Sequence, residues 1–131
     1  MKSFRNVASG LALCLAIAGP AAGQDAARGS VLFSVECAAC HSTVPGQNGI
    51  GPSLAGVYGS RAGMVPGFKF SVALKQSNIV WTPETLETFL ADPNSDVTGT
   101  NMPHPGTELH LGMPNAVDRG DVIAYLRTLK Q

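Results

Sequence analysis

The sequence predicts a small all-α domain, and three observations carry that reading. Apolar residues recur at helical spacing on either side of a glycine-rich middle, and no stretch alternates apolar and polar residues as a half-buried strand would. A single Cys-x-x-Cys-His box, Cys37-Ala38-Ala39-Cys40-His41, stands directly after the first periodic segment. Periodicity alone gives three or four helices joined by long loops.

The box is the chemical centre of the chain. Cysteines three apart on one turn put both sulfurs on one side of the backbone, and the next residue projects an imidazole beside them. Two thiols so placed can form thioether bonds to the vinyl groups of a haem while the adjacent ring coordinates its iron, and the pattern is read as c-type haem attachment. One box implies one haem, held covalently by Cys37 and Cys40. A thioredoxin-like redox pair would need a βαβ context that is absent here. A structural zinc site would need His104 and His110, more than sixty residues on, where zinc-finger spacing expects about 12 to 15.

The 131 residues carry nine basic and nine acidic side chains, enough length for one ordinary domain. Residues 1–23 read as a secretory signal peptide: Lys2 and Arg5 lead, Ala8 to Ala18 is nearly all apolar, and Gly19-Pro20-Ala21-Ala22-Gly23 offers small residues for cleavage after Gly23. That apolar run is too short for a transmembrane helix. Leu13 stands where a small residue precedes a lipid-modified cysteine, so Cys14 does not mark a lipoprotein. The expected product is a domain at 24–131, exported to the periplasm, with seven basic against nine acidic residues and a net charge of −2. Such a balance argues against nucleic acid or an anionic membrane surface as partner. With Cys14 removed, only Cys37 and Cys40 remain, which excludes a structural disulfide framework. A loop-rich chain of 108 residues has a thin core and needs a staple. A buried porphyrin would be one.

The elements follow in order. Asp25 is placed to cap a first helix whose apolar face is Val31, Leu32 and Val35 with Phe33. Gly29 interrupts it at a cost of roughly 1 kcal/mol against alanine, which points to a packing reason. From Ser42 to Gly63 six glycines and no sustained period predict loop. Phe70 to Ser77 allows a short helix through Val72, Ala73 and Leu74. Thr82-Pro83-Glu84 is a strong helix start, with a hydroxyl cap, a proline in the first turn and a carboxylate at the positive end of the dipole. Leu86, Phe89 and Leu90 make its apolar face, and Asp92-Pro93 ends it. After an irregular stretch from Val97 to Pro114, a last helix is expected from Asn115 or Ala116 to Leu129, carrying Val122, Ile123, Tyr125, Leu126 and Leu129, with Arg127 and Lys130 near its end.

With these motifs in view the chain resembles the monohaem class I c-type cytochromes of the small soluble bacterial and mitochondrial type. The resemblance runs from Gly29 to Leu129. It rests on Gly29 and Phe33 ahead of the box, Gly51-Pro52-Ser53-Leu54, Pro66-Gly67-Phe68, Trp81, Gly99-Thr100-Asn101-Met102 and Asp121-Val122-Ile123-Ala124-Tyr125-Leu126. It implies the cytochrome c fold, three to five short helices wrapped around one haem. It places Gly29 and Phe33 where the first helix crosses the last, against Tyr125 and Leu126. It implies His41 as the proximal ligand, the Pro52 carbonyl as acceptor for its other ring proton, and Trp81 beside a propionate as well as in the core. Three positions depart from the family pattern. Ser60 stands where an arginine often sits, with Arg61 displaced by one, and Phe70 and Phe89 replace tyrosines.

For the sixth ligand, counting forward from Pro93 puts Met102 of Gly-Thr-x-Met at the family position. Counting back from Asp118-Arg119 reaches Leu109 or His110 instead, because about six or seven extra residues lie around Pro103 to Leu111. The intact motif favours Met102 over Met113, His110 or His104. Met102, His104, His110 and Met113 also make up a soft-metal set suited to copper. The resemblance implies a monomeric one-electron carrier, not an enzyme, docking transiently with periplasmic or membrane-bound redox proteins such as an oxidase, reductase or dehydrogenase. The alternatives are a haem enzyme or small-ligand sensor with an open or labile sixth position, and a haem subunit of a periplasmic dehydrogenase.

Overall fold

The computed structural model describes residues 24–102 and 112–131, and within them five helical segments: α1 (Ala26–Glu36), α2 (Val72–Gln76), α3 (Pro83–Ala91), α4 (Pro93–Asp96) and α5 (Ala116–Leu126). Among the described residues no strand forms. The one extended pairing is an isolated antiparallel bridge between Arg61 and Val80. No helix among them is long and apolar enough to cross a membrane.

Local chemistry sets the helix starts. The Asp25 carboxylate accepts from the Ala27 and Arg28 amides, so α1 begins where a free acceptor meets orphan donors. Ser71 does the same for α2, and Asn115 for α5 through the amides of Val117 and Asp118. At α3, Thr82 and Thr85 cap each other's backbone reciprocally, with Pro83 in the first turn. Pro93 ends α3 as expected. It also opens α4, with the Asp92 carboxylate accepting from the Ser95 amide at 3.1 Å, because a proline that cannot continue a helix is well suited to begin one. α5 stops at Leu126, three residues short of the expected end. There the Thr128 and Leu129 amides bond to the carbonyls three residues back, tightening the chain into a turn that still packs Leu129 on the core.

The core forms where α1 crosses α5. A Cβ at Gly29 would lie 1.9 Å from the Asp121 carbonyl oxygen, so only glycine permits this approach. Phe33, one turn on, meets the Tyr125 ring at 5.4 Å between centroids. This narrows the buried face of α1 to Gly29 and Phe33, with Leu32 at its edge, and corrects the broader face expected from sequence. Val31 and Val35 are 64% and 71% exposed. Each lies two residues, about 200°, around the helix from the contact stripe.

Two polar ties hold the helices to one another. The Asp121 carboxylate, almost fully buried, accepts from the Asp25 amide at 2.8 Å and pairs with Arg28, which also reaches Asp118. Arg119 donates to Glu87 on α3 and to the Met113 carbonyl at 2.5 Å, while the Met113 amide donates to the Leu90 carbonyl at 2.7 Å. Both anchor a side of the core whose remaining face, formed by Trp81, Leu86, Phe89, Leu90, Val122 and Leu126, opens onto a cavity.

Candidate functional site

The haem box continues directly from the end of α1. The chain turns back on itself, with the Cys40 and His41 amides both bonded to the Cys37 carbonyl, so Cys37, Cys40 and His41 all face one cavity. Its space is about 1390 Å³, open mouth included. It is lined by the box with Gly51, Pro52 and Leu54, by Leu74 of α2, by Leu86, Phe89 and Leu90 of α3, by the segment ending at Met102, and by Val122 and Leu126 of α5.

His41 is oriented from its far side. Its Nδ1 donates to the Pro52 carbonyl oxygen at 2.8 Å, which fixes the proton on Nδ1 and leaves Nε2 as a lone-pair donor. Burial pushes its pKa down, outweighing the opposing effect of the Pro52 bond, so the ring is held neutral. The acceptor is itself fixed: the Ser53 amide bonds to Asn48 Oδ1 at 2.9 Å and the Ser53 hydroxyl to the Val44 carbonyl at 2.7 Å. Cys37 and Cys40 are free thiols, not joined to each other. Burial, then Glu36 and Cys40, push the Cys37 thiol up to about 11, so it stays protonated.

Trp81 lines the cavity and is 7% exposed, tilted against Phe89 at 58° with centroids 5.0 Å apart, so it serves as core aromatic and cavity wall together. Met102 lines the same cavity as the box. Met113 does not: it is buried in the core, its backbone held by Leu90 and Arg119. Met64 is 64% exposed and does not line the cavity. His104 and His110 lie outside the described residues, as do the extra loop and the leader through Gly23. Of the four side chains suited to copper, the two described ones, Met102 and Met113, occupy different surroundings. Among the described residues no cluster of His, Cys, Asp or Glu is arranged to hold a metal ion.

The three departures from the family pattern all reach the cavity. Phe70 and Phe89 make its wall more apolar. The Ser60 hydroxyl donates to the Val57 carbonyl, and the Arg61 guanidinium bonds to Asn78. Sequence reading gave two of the other lining residues no part in the site. Leu74 of the short α2 completes the apolar wall, and Gly51 lies flat against the His41 ring. The ring contact had a signal in the Gly51-Pro52 pair but no periodicity to reveal it.

The residues present fit a porphyrin. Two thiols, a neutral imidazole and a thioether line one cavity, and the rest of its lining is largely apolar. This defines a small all-α haem protein. The chain matches the family model described as Cytochrome c over residues 26–130. It is 42% identical to cytochrome c2 of Rhodopila globiformis over 86% of this chain and the whole of that protein, and 37% identical to cytochrome c2 of Blastochloris viridis over 95% and 93%. Among solved structures, cytochrome cH from Methylobacterium extorquens superposes with a TM-score of 0.69 at 41% identity, covering 79% of this chain and 98% of that one. The chain belongs to the cytochrome c family. It is a one-electron carrier with one c-type haem attached through Cys37 and Cys40.

Proposed function

We propose that residues 1–23 are removed on export and that the domain at 24–131 works in the periplasm as a monomeric shuttle. It would carry single electrons between membrane-bound or periplasmic redox proteins, with His41 and Met102 as the side chains that would hold the iron. The observation that carries this reading is that one imidazole and one thioether line the same cavity as both cysteines, with Met113 held elsewhere.

The bound haem supplies an iron that alternates between ferrous and ferric states. The chain's own residues do the rest. His41, kept neutral and aimed by Pro52, offers a ligand that need not move when the charge changes. Met102 offers a soft thioether, which raises the potential relative to a second imidazole. Leu74, Phe89, Leu86 and Leu90 exclude water. Pro52 acts as a positioning residue, and Trp81 closes the cavity beside Phe89.

The test is an optical spectrum of the purified protein, oxidised and reduced, with its mass. Expected are low-spin bands in both states, a weak near-infrared sulfur-to-iron absorption in the oxidised form, slow carbon monoxide binding, and a mass equal to residues 24–131 plus one haem. A high-spin spectrum with rapid carbon monoxide binding would replace the carrier reading by that of a ligand-binding haem protein.

A further inference from the structure

We infer that Gly51 is a positioning residue that sets the plane of the His41 imidazole. This rests on the reading of His41 as the proximal ligand and adds what holds the ring in one rotational setting. A hydrogen bond at Nδ1 and the Cβ tether direct the lone pair, but the ring must also be stopped from turning about that axis. The stop is the Gly51 backbone. A Cβ at Gly51 would lie 2.4 Å from His41 Cε1, 2.7 Å from Nδ1 and 2.9 Å from Nε2, so the backbone here is pressed against the imidazole itself.

The backbone cannot readily retreat. The Gly51 amide donates to the Cys40 carbonyl at 2.8 Å, and its carbonyl accepts from the Gly49 amide at 2.9 Å. On the following side, Leu54 bonds to the Ser42 carbonyl at 2.8 Å and Ser53 bonds to Asn48, which also donates to the Pro66 carbonyl at 3.0 Å. A side chain at position 51 therefore turns or displaces the ring. The movement is resisted by the 2.8 Å bond to Pro52, which must lengthen. A weaker bond makes the imidazole a poorer donor and favours the reduced iron.

The experiment compares holoproteins carrying Gly51→Ala and Gly46→Ala. Gly46 lies in the same loop at φ +74° with nothing within 4 Å of an added Cβ, so its substitution strains the backbone without touching the ring. Gly51→Ala is expected to change the g values of the low-spin ferric signal and raise the reduction potential, while Gly46→Ala lowers the melting temperature and leaves both unchanged. Equal spectra and potentials in the two variants overturn the inference. Should Gly51→Ala fail to mature, proton NMR of the reduced unsubstituted protein decides. Strong cross-peaks from both Gly51 Hα protons to the His41 ring support the inference, and their absence overturns it. Failure of the ligand reading is separate, since it would appear as a missing low-spin signal in the unsubstituted protein.

Discussion

Gly29 on the first helix and Asp121 on the last meet backbone to backbone, so closely that a single methyl group at position 29 would lie 1.9 Å from the Asp121 carbonyl oxygen and 2.9 Å from the Tyr125 Cβ. This crossing fixes the direction in which α1 delivers the haem box. Gly29→Ala would improve helix propensity by about 1 kcal/mol yet force the helices apart, and overpacking of this kind costs about 1–3 kcal/mol. The expected result is a net loss of stability, read as a lower urea midpoint for the holoprotein.

Met102 and Met113 should respond oppositely to substitution. Met102→Ala is expected to abolish the near-infrared sulfur-to-iron absorption. Met113→Leu, a volume-conserving change in a core position off the cavity, should keep the band and cost under about 1.5 kcal/mol. Survival of the band in Met102→Ala would remove Met102 as ligand.

Asp121 gives the stability an acid limb. The Asp25 amide and the Arg28 guanidinium hold its carboxyl below the usual carboxylate range, against the opposing effect of burial. A depressed folded pKa means the unfolded chain binds the proton first. The contribution is therefore complete above the unfolded value, about pH 4, and is lost as pH falls through the folded value. Asp121→Asn should lower stability at neutral pH and flatten its decline below pH 4, as urea titrations across that range would show.

Arg119 is 9% exposed and satisfies the Met113 carbonyl as well as Glu87. Arg119→Met would orphan a buried acceptor at a cost of about 1–3 kcal/mol. Glu87→Gln keeps a hydrogen-bond acceptor on a partly exposed side chain and should cost under about 1 kcal/mol. Denaturation midpoints of the two holoproteins check the order.

The cavity borders the centre of the core, since Trp81, Leu86, Phe89, Leu90, Val122 and Leu126 all line it. A chain with Cys37→Ala and Cys40→Ala, expressed so that no haem is retained, should lose most of its far-UV helical signal and its cooperative thermal transition. Native-like helicity in that variant would show that the polypeptide alone supplies the core.

By itself the sequence determined what depends on a few neighbouring residues. Asp25, Thr82-Pro83 and Asn115 begin their helices because a cap needs only a side-chain oxygen and the next three amides. Cys37, Cys40 and His41 announce their chemistry because attachment needs both sulfurs on one turn. Even Pro52 as partner of His41 followed from a short motif, carried by resemblance to a known family. Tertiary structure decided whatever depends on residues brought together from afar. Periodicity marked four apolar residues on α1 but not that the α5 crossing would fully bury only Phe33 among them, since Gly29 decides that through Asp121, 92 positions away. Counting along the chain set Met102 against Met113, His110 and His104. The folded core, where Leu90 and Arg119 hold Met113, separates Met113 from the cavity that Met102 lines. Hydrogen bonds of a helix cap close over one turn and can be read locally, whereas burial is a property of the space that several distant segments enclose together.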